Sequence, residues 1–406
     1  MHGAKVQISK QNAKRKLYFL HFFFYFFRIF APTMAGIYIH IPFCKSRCVY
    51  CDFYSSTSLA LSQRYVDAVC MEMEERSKGR GAGGKRIETV YLGGGTPSQL
   101  SGAQLCQLFA HLYKTFRIAP DAEVTIECNP DDVTEEFASM LSELPVNRVS
   151  MGAQTFQPER LRFLRRRHTA EQVGETVGRL RQAGIGNISV DLMYGFPNET
   201  MEEWERDIQQ AIALDVEHLS AYALQYEEGT PLYLMLERGE VSEIDEELER
   251  QMYFRLIDAL AEAGFEHYEI SNWGKPGRYS RHNSSYWNQT PYIGLGAAAH
   301  SFDGQNRQWN VADIRRYMEG MEKGKPCVEY EELTPDNRYN EIVMTALRTS
   351  EGLSLTRLSS ADADYCLRQA QRFILDGLLV NEQQHLRLTR KGLFVSDMVM
   401  TELMKV

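Results

Sequence analysis

The sequence has few cysteines, no uninterrupted apolar run of membrane-spanning length and no excess of basic charge, and each shortage removes a class of protein. Eight cysteines in 406 residues are too few and too unevenly spaced for a disulfide scaffold. Five of them, Cys70, Cys106, Cys128, Cys327 and Cys366, sit in otherwise periodic segments and are expected to be reduced core residues. The most apolar segment, KRKLYFLHFFFYFFRIFAPTMAG, is broken by His21 and Arg28, so it falls short of the ~20 apolar residues that a spanning helix needs. Its charged start and apolar middle have the form of a signal peptide. The expectation adopted is instead that translation begins at Met34 and that residues 1–33 are an upstream extension without a role. Lysine and arginine (45) are outnumbered by aspartate and glutamate (54), for a formal net charge of -9. A nucleic-acid partner is therefore not expected, because such partners are met by a basic face, and the run Arg165-Arg166-Arg167 is too short to supply one.

What is present reads as an ordinary soluble globular chain, 44% hydrophobic and 24% charged, long enough for one large domain and a smaller one. From Met34 onward β-rich runs alternate with amphipathic helical stretches. Strands are predicted at 36–41, 89–92, 123–127, 148–151, 189–193 and 218–223, and helices at 60–76, 103–116, 135–143, 170–183 and 201–214. Such alternation implies parallel strands joined by right-handed crossovers with helices outside. Six units imply an α/β fold, an open partial (β/α)6 barrel, in which chemistry collects on the loops after the strands. After about residue 280 the pattern changes: helices at 337–349 and 363–375 precede GLLVNEQQHLRLTRKGLFVSD, which reads as strand, turn, strand and helix. The expected division is therefore 34–280 for the barrel and 281–406 for a small, mainly helical C-terminal domain resembling a winged helix, with a structural or docking use.

The densest chemistry lies in IHIPFCKSRCVYCDFYSS, where Cys44, Cys48 and Cys51 fall within eight residues. Three thiolates at C-x3-C-x2-C spacing suit three irons of a [4Fe–4S] cluster and leave the fourth iron open to a small molecule. A structural zinc site is the competing reading. It wants four N or S ligands and usually a second C-x2-C knuckle, which is lacking, although His40 is available as a fourth ligand. Lys45, Ser46 and Arg47 make the segment a polar loop, which argues against chance clustering in a core.

The phrase CKSRCVYCDF resembles the radical S-adenosylmethionine (SAM) superfamily, whose open iron chelates SAM and whose usual architecture is a partial (β/α)6 barrel. In that family the hard chemistry belongs to the cofactor, and the protein holds and shields it. The resemblance implies SAM contacts at Tyr38 in YIHIPF, at Gly94, Gly95 and Thr96 in YLGGGTPS, at Glu127 in TIECNP and at Gln154 in SMGAQTF. It implies further contacts at Arg166 in LRFLRRRH and Asp191 in VDLMYGFP. Read without the family, a glycine run is a place where backbone approaches something a side chain would exclude, Arg166 is a solvated charge and Asp191 a strand-end cap.

Within the superfamily these motifs, with YALQYEEGTPL, resemble the oxygen-independent coproporphyrinogen III oxidases and their HemW-type relatives over residues 36–403. The oxidases carry a further cysteine two residues after the third, and Phe53 stands there in this chain. HemW-type proteins carry an H-N-x-x-Y-W motif associated with haem, matched by His282, Asn283, Tyr286 and Trp287. Imidazole is a standard axial ligand and aromatic rings offer flat apolar surface to a porphyrin. A polar loop packed between domains is the bland reading, and His282 either ligates iron or shapes a pocket, with His300 in YIGLGAAAHSF as an alternative. The resemblance thus implies a cytoplasmic haem chaperone that binds a [4Fe–4S] cluster, SAM and haem. It implies delivery of haem from a donor to a cytochrome-type acceptor or storage protein, with at most peripheral membrane association. The oxidase reading is the alternative.

Overall fold

The computed structural model describes residues 35–78 and 86–405. The segment read as an upstream extension lies outside the described residues. Strands β1 (Ala35–Ile41), β2 (Arg86–Gly94), β3 (Arg117–Cys128), β4 (Arg148–Gln154), β5 (Ile188–Tyr194) and β6 (His218–Ala223) lie side by side in chain order. All five pairings between them are parallel. Helices Ser62–Lys78, Gly102–Thr115, Glu135–Ser142, Ala170–Gln182 and Met201–Ala213 fill the crossovers, so the partial (β/α)6 barrel expected from the alternation is the fold. Local chemistry sets where the helices begin. At Ser101/Gln104 and Thr200/Glu203 each side chain satisfies the other residue's backbone N–H, the reciprocal arrangement that spares two orphan donors of a first turn.

Both faces of these strands are buried, and they bury different things. One face carries Val90 and Leu92, Val124 and Ile126, Val149 and Met151, and Val190 and Leu192, packed in one core with Leu105, Leu108, Val173, Val177 and Ile208 of the helices. Because side chains alternate along a strand, residues of the opposite parity on each strand, Tyr91, Glu127, Ser150, Asp191 and, on β6, Ser220, turn to a polar lumen. The expected core placement of Cys106 is corrected by the structure: Cys106 is exposed, because on its helix the inward stripe is Leu105, Leu108, Phe109 and Leu112.

Six further strands extend the sheet to twelve. On one side β7 (Glu266–Glu269) and β8 (Asn272–Gly274) add antiparallel to β6. On the other, β9 (Tyr292–Leu295) pairs parallel with β1 and leads into antiparallel β10 (His300–Phe302), β11 (Asn306–Asn310) and β12 (Val328–Glu332). Residues 292–332, read from sequence with the C-terminal part, thus continue the large sheet. A buried carboxylate joins this extension to the barrel. Glu72, on the first crossover helix, accepts from Gly296 N (2.8 Å), Tyr317 OH (2.6 Å) and Asn310 Nδ2 (2.8 Å).

The C-terminal unit has its own core of Tyr339, Val343, Phe373, Leu379, Leu386 and Leu403. Helices Pro335–Leu347, Ser360–Leu375 and Ser396–Leu403 surround a small sheet of β13 (Leu353–Ser354), β14 (Leu379–Glu382) and β15 (His385–Leu388). The β14–β15 hairpin turns through Gln383 and Gln384, both at positive φ, as a two-residue hairpin turn requires. Arg390 ties this unit to the barrel through Asp258 at 2.7 Å. No helix among the described residues is long and apolar enough to cross a membrane.

Glu72→Ala would strip three buried donors of their acceptor. An expected loss of roughly 2–4 kcal/mol in unfolding free energy follows, to be checked by urea denaturation. A loss below 1 kcal/mol would show that the carboxylate is not what holds the extension.

Candidate functional site

The cysteine loop leaves β1 and closes on itself at the neck. Cys44 N donates to Ser56 O at 3.0 Å and Ser56 N to Pro42 O at 2.6 Å, and within the loop Cys51 N donates to Cys48 O at 3.4 Å. Val49 is driven into an apolar cluster with Leu164, Met193, Phe196, Leu224 and Leu232, which fixes the loop from below. Cys44, Cys48 and Cys51 remain free, partly buried thiols on the wall of one cavity of about 470 Å³. The same cavity is lined by Gly94, Gly95, Thr96, Glu127, Asn129, Gln154, Arg166, Asp191 and Asn283. Tyr38, His282, Tyr286 and Trp287, expected to join the site, do not line it.

The donor set suits three thiolates and a cluster better than a four-ligand ion. Thr96 Oγ1 donates to Cys44 Sγ at 3.6 Å, and Arg166 Nη1 to Cys48 Sγ at 3.7 Å. Burial pushes the Cys44 thiol up and that of Cys51 to about 11, and a metal centre bound there would displace their protons. His40 is spoken for: its Nδ1 meets Tyr38 OH at 3.0 Å and its Nε2 meets the Tyr54 carbonyl at 2.9 Å. The fourth ligand that a zinc site would need is therefore engaged elsewhere. Phe53, at the position of the oxidases' extra cysteine, is 62% exposed and lines the same cavity.

The glycine run also packs against the chain itself. A Cβ on Gly94, whose φ is +110°, would stand 2.4 Å from the His40 ring, and one on Gly95 would lie 2.9 Å from Ile41 O and from Phe43 N and O. The space where those two Cβ atoms would stand is filled by β1 and the root of the cysteine loop, against which the run locks, while both glycines also line the cavity. Gly95 N donates to Ile41 O at 2.9 Å.

Glu127 reaches across to the same run, accepting from Gly94 N at 3.0 Å and Tyr91 OH at 2.8 Å. Burial raises its pKa to about 7 against those hydrogen bonds. Burial likewise raises Asp191, which accepts from Ser150 Oγ at 3.4 Å. Gln154 ends β4 at a bulge with φ 68°, a left-handed conformation uncommon for a side-chain-bearing residue, and it lines the cavity. Arg166 is held by protein acceptors, Asn129 Oδ1 at 2.8 Å and the Gly152 carbonyl, in addition to Cys48. A Cβ on Gly152 would lie 3.0 Å from the Arg166 guanidinium, so this glycine makes way for it.

The H-N-x-x-Y-W residues diverge. They lie on the short helix Arg281–Trp287, capped by Ser280. His282 is 1% exposed, with Nδ1 against Thr89 Oγ1 at 2.8 Å and Nε2 against Tyr286 OH at 2.8 Å. Its ring stacks on Tyr91 at 5.1 Å, and burial, aided by Arg148, lowers its pKa to about 3. Asn283 faces the cavity, while Trp287 lies under Arg348, whose Cζ is 4.9 Å from the ring centre. His300 is exposed and stacks on Trp309 at 5.6 Å, away from the cavity.

Tyr91, Arg148, Ser150 and Gly152 also line the cavity and were not singled out from sequence. The signal was there: in RVSMGAQ, residues 148, 150, 152 and 154 share a face by strand alternation, so Gln154 pointed to the other three.

Residues 38–211 match the Radical SAM superfamily and residues 333–395 the HemN C-terminal domain. "Heme chaperone HemW" of Mycobacterium tuberculosis (strain H37Rv) is 36% identical, covering 91% of this chain and 94% of its own. The protein of the same name from Bacillus subtilis (strain 168) is 34% identical over 90% and 98%. The mouse "Radical S-adenosyl methionine domain-containing protein 1, mitochondrial" is 29% identical over 92% and 88%. The solved structure of coproporphyrinogen III oxidase (HemN) from Escherichia coli shares the fold, with a TM-score of 0.80 at 20% identity over 93% and 91%.

A carboxyl whose pKa rises on folding, from 4.5 to about 7 for Glu127, stabilises the fold most below 4.5 and loses that contribution as pH climbs through 7. Glu127→Gln is expected to flatten this part of the stability profile, worth on the order of 2–3 kcal/mol in wild type. Urea unfolding between pH 4.5 and 7.5 measures it, and parallel profiles for the two proteins would refute it.

Proposed function

The chain belongs to the HemW heme-chaperone family of the radical SAM superfamily, and from that premise we propose that it binds a [4Fe–4S] cluster, SAM and haem, and hands haem to an acceptor protein. The observation that carries this reading is the single cavity onto which three cysteines and the ends of β2, β3, β4 and β5 converge. In this reading Cys44, Cys48 and Cys51 hold the cluster. Gly94, Gly95, Thr96, Glu127, Gln154, Arg166 and Asp191 surround the SAM. Tyr38 supports them from behind, through His40 and a 6.3 Å stack on Tyr91. When bound, a cluster of this kind supplies an electron to the sulfonium ligand on its open iron.

The chain's own groups do the rest. Arg166 donates a hydrogen bond to Cys48 Sγ and so orients that ligand. Asp191 presents acceptors to hydroxyl donors, and the walls exclude water. We assign residues 34–280 to cofactor binding and 281–406 to the haem motif and docking, and place the protein in the cytoplasm, where thiolates stay reduced. His282, with both ring nitrogens engaged, orients Tyr91 and Tyr286 and shapes the haem site instead of ligating iron.

Two experiments test this. Cys48→Ala is expected to lose bound iron and sulfide while keeping the wild-type melting temperature, because Val49 in its apolar cluster and Lys45 on Asp132 hold the loop without the Cys48 thiol; full iron content in the variant would refute the ligand assignment. An anaerobic haem titration of cluster-loaded wild type, followed at the Soret band, is expected to saturate at a fixed stoichiometry. His282→Ala should weaken it without moving the Soret maximum, since the iron's ligand is another group. A shifted maximum would make His282 the ligand. No binding by wild type, with carbon dioxide released from coproporphyrinogen III, would favour the oxidase.

A further inference from the structure

The cavity wall holds a cation that the protein does not pair. Arg148, the first residue of β4, is 1% exposed and lines the cavity, yet its Nε and Nη1 have no hydrogen-bond partner. Its register partner on β3, Thr125, is fully buried and its hydroxyl is likewise without a partner. The carboxylates nearest in the lumen are committed elsewhere, Glu127 to Tyr91 and Gly94 and Asp191 to Ser150, and neither forms an ion pair with Arg148 among the described residues. Leaving a guanidinium buried and unpaired costs several kcal/mol, which a folded protein tolerates where a ligand completes the pair. Arg166, by contrast, has its terminal nitrogens filled by Cys48, Asn129 and Gly152. Among the described residues of the cavity wall the buried cation with unused donors is therefore Arg148, six residues before Gln154 and deep below the cysteine loop, whereas Arg47 and Arg165 are exposed to solvent.

We propose that Arg148 is a carboxylate-binding anchor in the lumen, whose planar fork receives one carboxylate of the molecule that enters the cavity. Guanidinium matches a carboxylate in two-point geometry, and exclusion of water strengthens the pair. Two sources of that carboxylate fit the functional reading on which the proposal rests: the amino-acid end of an adenosyl ligand and a porphyrin propionate.

The test uses the full, cluster-loaded chain and two pairs of probes. One pair is haem and its dimethyl ester, followed at the Soret band; the other is S-adenosylhomocysteine and 5′-methylthioadenosine, followed by calorimetry. In one pair wild type should prefer the carboxylate by roughly 10- to 100-fold, the range of a charge-assisted hydrogen bond. Arg148→Met should abolish that preference while binding the uncharged partner as wild type does. Should Arg148→Met fail to keep the wild-type melting temperature, Arg148→Lys decides: it keeps the charge without the fork, and a partial loss of preference is expected. The pair affected identifies the source. Unchanged preferences in both pairs for a folded variant, or binding of no probe by wild type, overturn the proposal. Failure of wild type to bind haem sinks the haem reading alone, since the adenosyl pair still reports on Arg148.

Discussion

Four loops of the site meet on one carboxylate. Asp132, its side chain 3% exposed, accepts from Lys45 Nζ at 3.1 Å and Arg167 Nη2 at 3.1 Å, from Ser98 Oγ at 2.9 Å and from Gln99 Nε2. Lys45 belongs to the cysteine loop after β1, Ser98 and Gln99 follow β2, Asp132 itself follows β3, and Arg167 follows β4. A buried carboxylate is tolerable only when its lone pairs are filled, so the four loops are constrained together, and each partner's position depends on the others. Removing such a hub leaves several donors stranded, a penalty of roughly 3–5 kcal/mol. The thiols, the glycine run and Arg166 hold their mutual distances because this node sits behind them.

The polar lumen gives the same fold its capacity for chemistry. A parallel sheet normally buries aliphatic residues on both faces, and here the helix-facing side does so while the lumen carries Tyr91, Glu127, Arg148, Ser150 and Asp191. Burial penalises charge there, which is why Glu127 and Asp191 titrate above their ordinary range and why the lumen favours ligands that bring their own charge and hydrogen-bonding groups.

Much of this was legible in the sequence, for reasons that differ by element. The six barrel strands and their helices were readable because long alternating segments impose their period. The cysteine loop was readable because three thiols in eight residues have few other uses. Strands β9–β12 were not: at three to five residues each they are too short to show a period, and their place beside β1 is set by tertiary contacts. The glycines were visible, but only the closed sheet reveals that the His40 ring fills the space above Gly94. Asp132 and Arg148 were hidden for a common reason. A charged residue in a sequence reads as surface, and only closure of a barrel decides which charges are trapped inside.

The H-N-x-x-Y-W helix shows how one short motif can serve two sides of a boundary. A seven-residue helix turns about twice, so His282 and Tyr286, four apart, share a face and hydrogen-bond to each other over Tyr91, while Asn283 turns to the cavity. At its end Trp287 meets Arg348, which follows the first helix of the C-terminal unit and reaches Glu269 of β7 at 3.8 Å. The backbone N–H of His282 is meanwhile pinned to Glu123 of β3 at 2.9 Å. The helix therefore bridges the lumen wall and the C-terminal unit through packed, hydrogen-bonded groups, so a shift in either must be felt by the other. On physical grounds the motif belongs to the coupling between the cavity and the C-terminal unit before it belongs to any single ligand.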